Sequence, residues 1–329
     1  MNRLTVIIPF LNEGQEIPNT LRSIRETAGN EVDILLVNDA SYDGFDYERS
    51  ALEYNASYLL NETRMGVDGS RDIGVDNIKT EYFLIIDGHM RFYHNDWWNE
   101  IVSAIKQNNR ALYCCRCLNL DAEGNDITKN PGYGAFINMY DQGNLKTLLL
   151  PIWNKRDMNP GQNRMKIPCV LGASYAASKT YWKYLKGMKG LRMYGSSEPY
   201  ISMKVWLEGG ECILLKNVAI GHIFRLNTIE QKSPYTVLRA ELFFNKMLVA
   251  ETLLPAEHRK QVYDILKQEG GNTRYVAMEF FWERYDEIME LKSYYQKIMT
   301  RGFDSFLQFN EEVKKYNQKN LPEECGNTP

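Results

Sequence analysis

The chain has 329 residues, 44% hydrophobic and 25% charged, with a formal net charge of -3 at pH 7. Such a chain buries a substantial core in one large domain or two smaller ones, as ordinary soluble globular proteins do. The slightly negative balance argues against a nucleic-acid binder, which advertises a basic face.

The N-terminus passes straight into a strand pattern, Leu4-Thr5-Val6-Ile7-Ile8-Pro9, with no apolar leader, and no later stretch reaches transmembrane length. A cytoplasmic protein, at most peripheral to the inner membrane, is expected. Short apolar runs at 5–9, 33–38, 57–60, 82–86 and 111–116 read as strands, with helices at 18–27, 67–77 and 97–107 between them. Pro18 suits a first helical turn, where its missing N–H is not needed. This alternation predicts an α/β fold, a mixed and mostly parallel sheet flanked by helices. In such sheets ligands collect at the carboxyl ends of strands. Those ends carry Asn12-Glu13-Gly14, Asn38-Asp39-Ala40-Ser41 and Asp87-Gly88-His89. Turn chemistry explains any one of them; three on one sheet edge point to a site.

From 119 to 165 the pattern loosens, with Tyr133, Phe136, Tyr140 and Trp153 interleaved among polar residues, and reads as a long active-site loop region. Within it, Leu148-Leu149-Leu150-Pro151-Ile152-Trp153 is expected to pack on the core and not on a membrane. Order resumes at 167–177, followed by a helix at 198–207 and strands at 211–215 and 218–222. Beyond 234 the chain reads as helical to near 316, with a disordered tail at 321–329. The expected division is a catalytic domain over 1–230 and a helical extension over 231–329. Of six cysteines, Cys114, Cys115 and Cys117 share one strand-like stretch. They read as buried thiols, without the spacing of a disulfide framework or a zinc site.

The sharpest local signal is Asp87-Gly88-His89, delivered to the sheet edge by the apolar run Phe83-Leu84-Ile85-Ile86. A carboxylate and an imidazole one residue apart point the same way on extended backbone and can share a divalent ion such as Mn²⁺ or Mg²⁺. His222, one of only four histidines, closes another apolar strand and supplies a third ligand. Arg225 and Arg71 are candidates for a fixed positive charge on a phosphate. Glu198 opens a helix after Ser196-Ser197. An N-cap at Ser197 with an acid in the first turn accounts for it structurally; the functional alternative is a carboxylate facing a sugar or an acceptor.

These motifs resemble those of A-type (GT-A) glycosyltransferases. Thr5-Val6-Ile7-Ile8-Pro9-Phe10-Leu11-Asn12-Glu13 is similar to their opening strand, and Asn38-Asp39-Ala40-Ser41 to their nucleoside-binding acidic turn. More narrowly, the chain resembles the catalytic domain of polypeptide N-acetylgalactosaminyltransferases and related bacterial family 2 glycosyltransferases. Asp87-Gly88-His89 is similar to their Asp-x-His metal motif, and Gly221-His222-Ile223-Phe224-Arg225 to their Gly-His-Val-Phe-Arg motif. Ile167 through Ala173, Tyr194 through Gly210 and Ser233-Pro234-Tyr235 also have counterparts there. The resemblance covers roughly residues 4 to 250. It implies a GT-A fold and a UDP-sugar donor. Pro9, Asn12, Glu13, Asp39, Gly66, Arg71, Asp87, Gly88 and Gly172 would lie on that donor. Asp87, His89 and His222 would hold the metal, and Glu198 and Arg225 would take part in catalysis.

The departures fall beside the sugar. Ser196-Ser197 stands for a Gly-Gly pair, Pro199 for an Asn, and Gly172-Ala173 for another Gly-Gly pair. Neither N-acetylgalactosamine nor a polypeptide acceptor therefore carries over, and with no lectin domain following and no anchor preceding, an enzyme of bacterial glycan assembly is expected. The acceptor is left as a glycan, a lipid-linked saccharide or a protein, and oligomerisation is left open. The stereochemical outcome also stays open, although Glu198-Pro199 lacks the Glu-Asp pair of many inverting relatives. Two rival readings are a nucleotidyltransferase and a non-catalytic nucleotide-sugar-binding protein. The first would need a lysine-bearing phosphate loop where Leu11-Asn12-Glu13-Gly14-Gln15-Glu16 stands.

Overall fold

The computed structural model describes residues 3–129, 131–139, 145–224 and 236–318. Tyr140, Arg225, the Ser233-Pro234-Tyr235 tripeptide, the division expected at 230 and the tail at 321–329 lie outside the described residues.

The first half runs β1 (Leu4–Phe10), α1 (Glu16–Ala28), β2 (Asp33–Asn38), α2 (Tyr47–Glu53), β3 (Ser57–Leu60), α3 (Gly66–Asn77), β4 (Tyr82–Ile86), β5 (Met90–Phe92), α4 (Trp97–Gln107) and β6 (Ala111–Leu120). Then follow β7 (Ala135–Asn138), β8 (Leu150–Trp153), β9 (Arg164–Lys166), β10 (Ser174–Ser178), α5 (Lys179–Tyr184), α6 (Ser197–Leu207) and β11 (Glu211–Ile223). Five helices close the described chain: α7 (Arg239–Leu253), α8 (Ala256–Glu269), α9 (Thr273–Glu283), α10 (Tyr285–Ile298) and α11 (Phe303–Gln318). The expected strands and helices are present. The two strands expected at 211–215 and 218–222 are one, with an irregularity in its ladder between Leu215 and Ala219. The loosely patterned region holds a β7–β8 hairpin, whose strands of four residues are too short for periodicity to reveal.

The main sheet has the order β3-β2-β1-β4-β10-β6-β11-β5, with β9 on β11 beside β5. β3, β2, β1, β4, β6 and β11 run one way, and β10, β5 and β9 run against them. The chain moves outward from β1 to β2 and β3, then returns to the other side of β1 as β4. That reversal opens a crevice at the carboxyl ends of β1 and β4, the place where open α/β sheets bind ligands. Pairing of β1 with β4 stops at Ile7–Ile85, so Pro9, with no N–H to give, lies beyond that ladder.

Side-chain alternation along β1 builds two cores. Leu4, Val6, Ile8 and Phe10 face α1, α2 and α4, while Ile7 faces α3 and joins the cluster that includes α5, α6 and the C-terminal helices. The helices after residue 236 therefore share a core with the sheet. Polar ties reinforce it: the Asn310 amide donates to the Ile137 carbonyl at 2.8 Å and accepts from Ile137 N at 2.7 Å. The five cysteines among the described residues are buried free thiols, as expected. No helix among the described residues is long and apolar enough to cross a membrane.

Lys246, on α7, is 8% exposed and donates to the Leu148 carbonyl. Burial pushes its ammonium from 10.5 down to about 8. The folded chain thus sheds this proton before the unfolded chain does. Its contribution to stability is full above pH 10.5 and is lost as the pH falls through 8. Between pH 8 and 10.5 the wild type should gain up to about 3 kcal/mol on Lys246→Met. Urea titrations of both proteins across that range measure the difference; equal slopes would contradict it.

Candidate active site

The turn between β4 and β5 carries Asp87-Gly88-His89. It is pinned from below by Thr20 of α1, whose hydroxyl donates to the Gly88 carbonyl at 2.8 Å and accepts from Met90 N at 3.0 Å. A Cβ on Gly88 would stand 2.9 Å from Glu13 Cγ and 3.0 Å from Ile17 Cδ1, so the close approach of this turn to α1 needs glycine. His222 arrives from the far end of β11, opposite Met90 of β5 and Asn119 of β6. The ligand atoms of Asp87, His89 and His222 all lie within 4.8 Å of one another.

Three observations fit this trio to a divalent cation. First, His222 is 8% exposed, and among the described residues neither ring nitrogen has a well-formed hydrogen bond, the nearest polar atom being Asp87 Oδ2, 3.4 Å from Nε2. A buried imidazole without a partner is costly unless something binds it. Second, His89 Nδ1 is 3.0 Å from Glu13 Oε2, which leaves Nε2 for a metal. That is the carboxylate–histidine pairing that orients metal-bound imidazoles. Third, the charge states suit ligation. Burial pushes the His222 imidazole down, with Asp87 opposing this and His89 adding to it. Burial raises the Asp87 carboxyl, but His222, Arg71 and His89 outweigh it and hold it well below the usual carboxylate range. Phe224 backs the His222 ring, centroids 4.1 Å apart, and Trp153 of β8 backs Phe224 at 5.2 Å.

Arg71, buried on α3, reaches the same edge. Its Nη2 stands 3.7 Å from Asp87 Oδ1, its Nη1 donates to Asp68 Oδ1 at 2.9 Å, and its guanidinium lies 4.8 Å from the Tyr175 ring centre. Tyr175, on β10, donates to Glu198 Oε1 at 2.5 Å. A Cβ on Gly172 would meet that same oxygen at 2.9 Å, so the missing side chain makes room for Glu198. Ser197 does not cap its helix, as the sequence suggested. It is the first residue of α6, after Ser196 in a left-handed conformation, and its hydroxyl donates to Asp68 Oδ2 at 2.8 Å. Burial pushes the Asp68 carboxyl up to about 6, against the pull of Arg71 and Ser197.

The remaining expected residues are placed as follows. Asn12 Oδ1 accepts from Tyr42 N and its own N–H donates to Ser41, stapling the β1 and β2 turns together. Asp39 is buried; Oδ1 accepts from Met65 N and the Asn61 amide, and Oδ2 from Gly66 N. Gly66 starts α3 with φ +77°, and a Cβ there would lie 2.3 Å from Met193 Cα. Gly66→Ala should therefore cost at least about 2 kcal/mol, from left-handed strain and a backbone clash together. Denaturant midpoints test this, and an unchanged midpoint would refute the close approach. Pro9 is buried within β1. Asp68 and Tyr175 were not singled out by the sequence, where each reads as an ordinary helix or strand residue, and Ser197 was read there only as a helix cap.

A sheet that reverses direction beside β1, with a metal-capable Asp-x-His turn at the crevice, has the GT-A fold of nucleotide-sugar glycosyltransferases. Residues 5–171, just over half of the chain, match the family description Glycosyl transferase family 2, and the chain belongs to that family. It is 24% identical to polypeptide N-acetylgalactosaminyltransferase 3 of Mus musculus over 247 residues, 70% of this chain and 37% of that protein. To N-acetylgalactosaminyltransferase 6 of Drosophila melanogaster it is 25% identical over 318 residues, 93% of this chain and 44% of that protein. The chain thus spans less than half the length of these curated relatives. Among solved structures, GalNAc-T7 with UDP, GalNAc and Mn²⁺ superposes with a TM-score of 0.72 at 19% identity, over 95% of this chain and 58% of that one. S. aureus TarS 1-349 in complex with UDP-GlcNAc gives 0.52 at 13% identity, over 97% of this chain and 92% of that fragment.

Proposed function

We infer that the chain is a metal-dependent glycosyltransferase. It would move a hexose or N-acetylhexosamine from a UDP-sugar to an acceptor hydroxyl on a glycan, a lipid-linked saccharide or a protein. The observation that carries this reading is the Asp87–His89–His222 trio at the switch point of the sheet, with neither ring nitrogen of the buried His222 hydrogen-bonded among the described residues. UDP in the GalNAc-T7 structure and UDP-GlcNAc in the TarS structure support the choice of donor. A setting in bacterial glycan or glycoconjugate assembly belongs to the same reading.

Asp87, His89 and His222 would hold Mn²⁺ or Mg²⁺, and Glu13 fixes the His89 ring. When bound, the cation acts as a Lewis acid for the charge that builds on the departing diphosphate. Arg71 adds a permanent positive charge beside Asp87, and Arg225 belongs to the same reading. Glu198, aimed by the Tyr175 hydroxyl, offers its other oxygen to a sugar or acceptor hydroxyl. Asp39 serves the nucleoside side by ordering the loop at 61–66. Glu198 is followed by Pro199 and not by a second acid, so retention of the anomeric configuration goes with this reading; NMR of the product anomer decides it.

Titration calorimetry with UDP, with and without Mn²⁺, tests the proposal directly. Metal-dependent UDP binding is expected, followed by Mn²⁺-dependent turnover of at least one UDP-sugar in a hydrolysis screen. UDP binding indifferent to Mn²⁺ would sink it, and metal-dependent binding with no turnover of any donor would favour a non-catalytic binding protein.

A further inference from the structure

Asp68 is the buried acid of this site that the reading above leaves without a task. It is 1% exposed, and its two oxygens are committed to different elements: Oδ1 to Arg71 at 2.9 Å and Oδ2 to the Ser197 hydroxyl at 2.8 Å. An acid in a first helical turn gains only modestly from the helix dipole, and burying a carboxylate costs more than that gain unless partners hold it. Its place is therefore explained by Arg71 and Ser197.

Arg71 stands between two carboxylates, close to Asp68 and longer, at 3.7 Å, to Asp87. Its Nε is buried with no hydrogen-bond partner among the described residues. A guanidinium this near a carboxylate closes into a bidentate pair when nothing restrains it. Such a pair on Asp87 would occupy oxygens that a cation needs and would cancel the charge that attracts it. We propose that Asp68 is a positioning residue of the metal centre: it holds Arg71 back from Asp87, so that Asp87 stays open to a divalent cation while the guanidinium remains beside it. The Ser197 bond ties this restraint to the first turn of α6, which also carries Glu198. The proposal rests on the reading of Asp87, His89 and His222 as metal ligands.

The test is Mn²⁺ affinity of the full chain without nucleotide, by calorimetry. Asp68→Asn keeps the shape and removes the charge. Its Mn²⁺ affinity should fall roughly ten- to a hundredfold, the range seen when outer partners of metal ligands are lost. Adding Arg71→Gln to it removes the released cation and should recover most of that loss. A merely structural Asp68 predicts the reverse, a double variant at least as weak as the single one. Arg71→Gln alone should bind Mn²⁺ no more weakly than wild type, and this arm stands even if Asp68→Asn fails to fold. Wild-type affinity in a folded Asp68→Asn, no recovery in the double variant, or weakened binding in Arg71→Gln would each overturn the proposal. If wild type itself takes up no Mn²⁺, the metal centre falls, and the role of Asp68 with it.

Discussion

His222→Ala is expected to abolish metal-dependent UDP binding and turnover while costing the metal-free fold less stability than truncation of a hydrogen-bonded core histidine would. The two halves of this expectation come from one observation. His222 is buried with both ring nitrogens unpartnered among the described residues, so it makes no hydrogen bond that the fold would lose. An unsatisfied buried polar group costs about 1–3 kcal/mol, which offsets part of the cavity left by truncation. A core histidine satisfied by the protein would behave in the opposite way, with a large loss of stability and no metal effect. As a direct ligand, its loss should exceed the roughly ten- to a hundredfold expected for Glu13→Gln, which removes only the carboxylate behind His89. Calorimetry with Mn²⁺ and UDP, together with thermal melting in chelator, separates the two accounts. Unchanged Mn²⁺-dependent UDP binding in His222→Ala would remove it from the metal site.

Glu198→Gln is expected to lower kcat by about 10²–10³ with little change in Mn²⁺ or UDP affinity, the size of effect seen when one positioned polar group is lost from a transition state. The split follows from the geometry. Glu198 is not in the metal trio. It sits on α6, takes the Tyr175 hydroxyl at 2.5 Å and fills the space left by the absent side chain of Gly172. Tyr175→Phe should share the kcat loss in smaller measure, because it frees the carboxylate without removing it. If Glu198 serves only the helix dipole, the variant should lose no more than about 1 kcal/mol of stability and keep its full rate. Steady-state kinetics on the best UDP-sugar distinguishes these outcomes, and a kcat equal to wild type would end the catalytic assignment.

Much of the fold could be read along the chain. The apolar runs that became β1, β2, β3 and β4 are contiguous and bounded by turn residues, so local pattern identified them. β5 and α2 escaped notice because three and seven residues carry too little periodicity. The cysteine stretch also came out as read: Cys114 and Cys115 alternate into the two cores, and Cys117 falls on the side of Cys114, past the irregularity in the β6–β11 ladder.

The site divides along the same line. Asp87, His89 and His222 were legible because the first two follow one apolar strand and the third closes another, and strand ends in an α/β sheet gather at one edge whatever the detailed packing. The partners of these ligands were not. Glu13 and His89 are 76 residues apart, and only the return of β4 to the side of β1 brings them to 3.0 Å. Ser197 read as a cap until its hydroxyl was seen 2.8 Å from Asp68, 129 residues earlier in the chain. What the sequence by itself determined is therefore which residues could ligate, since residue type and strand position are local properties. What only the tertiary structure decided is which carboxylate restrains which cation and which imidazole is left open, because those depend on strand order and on buried contacts between distant helices.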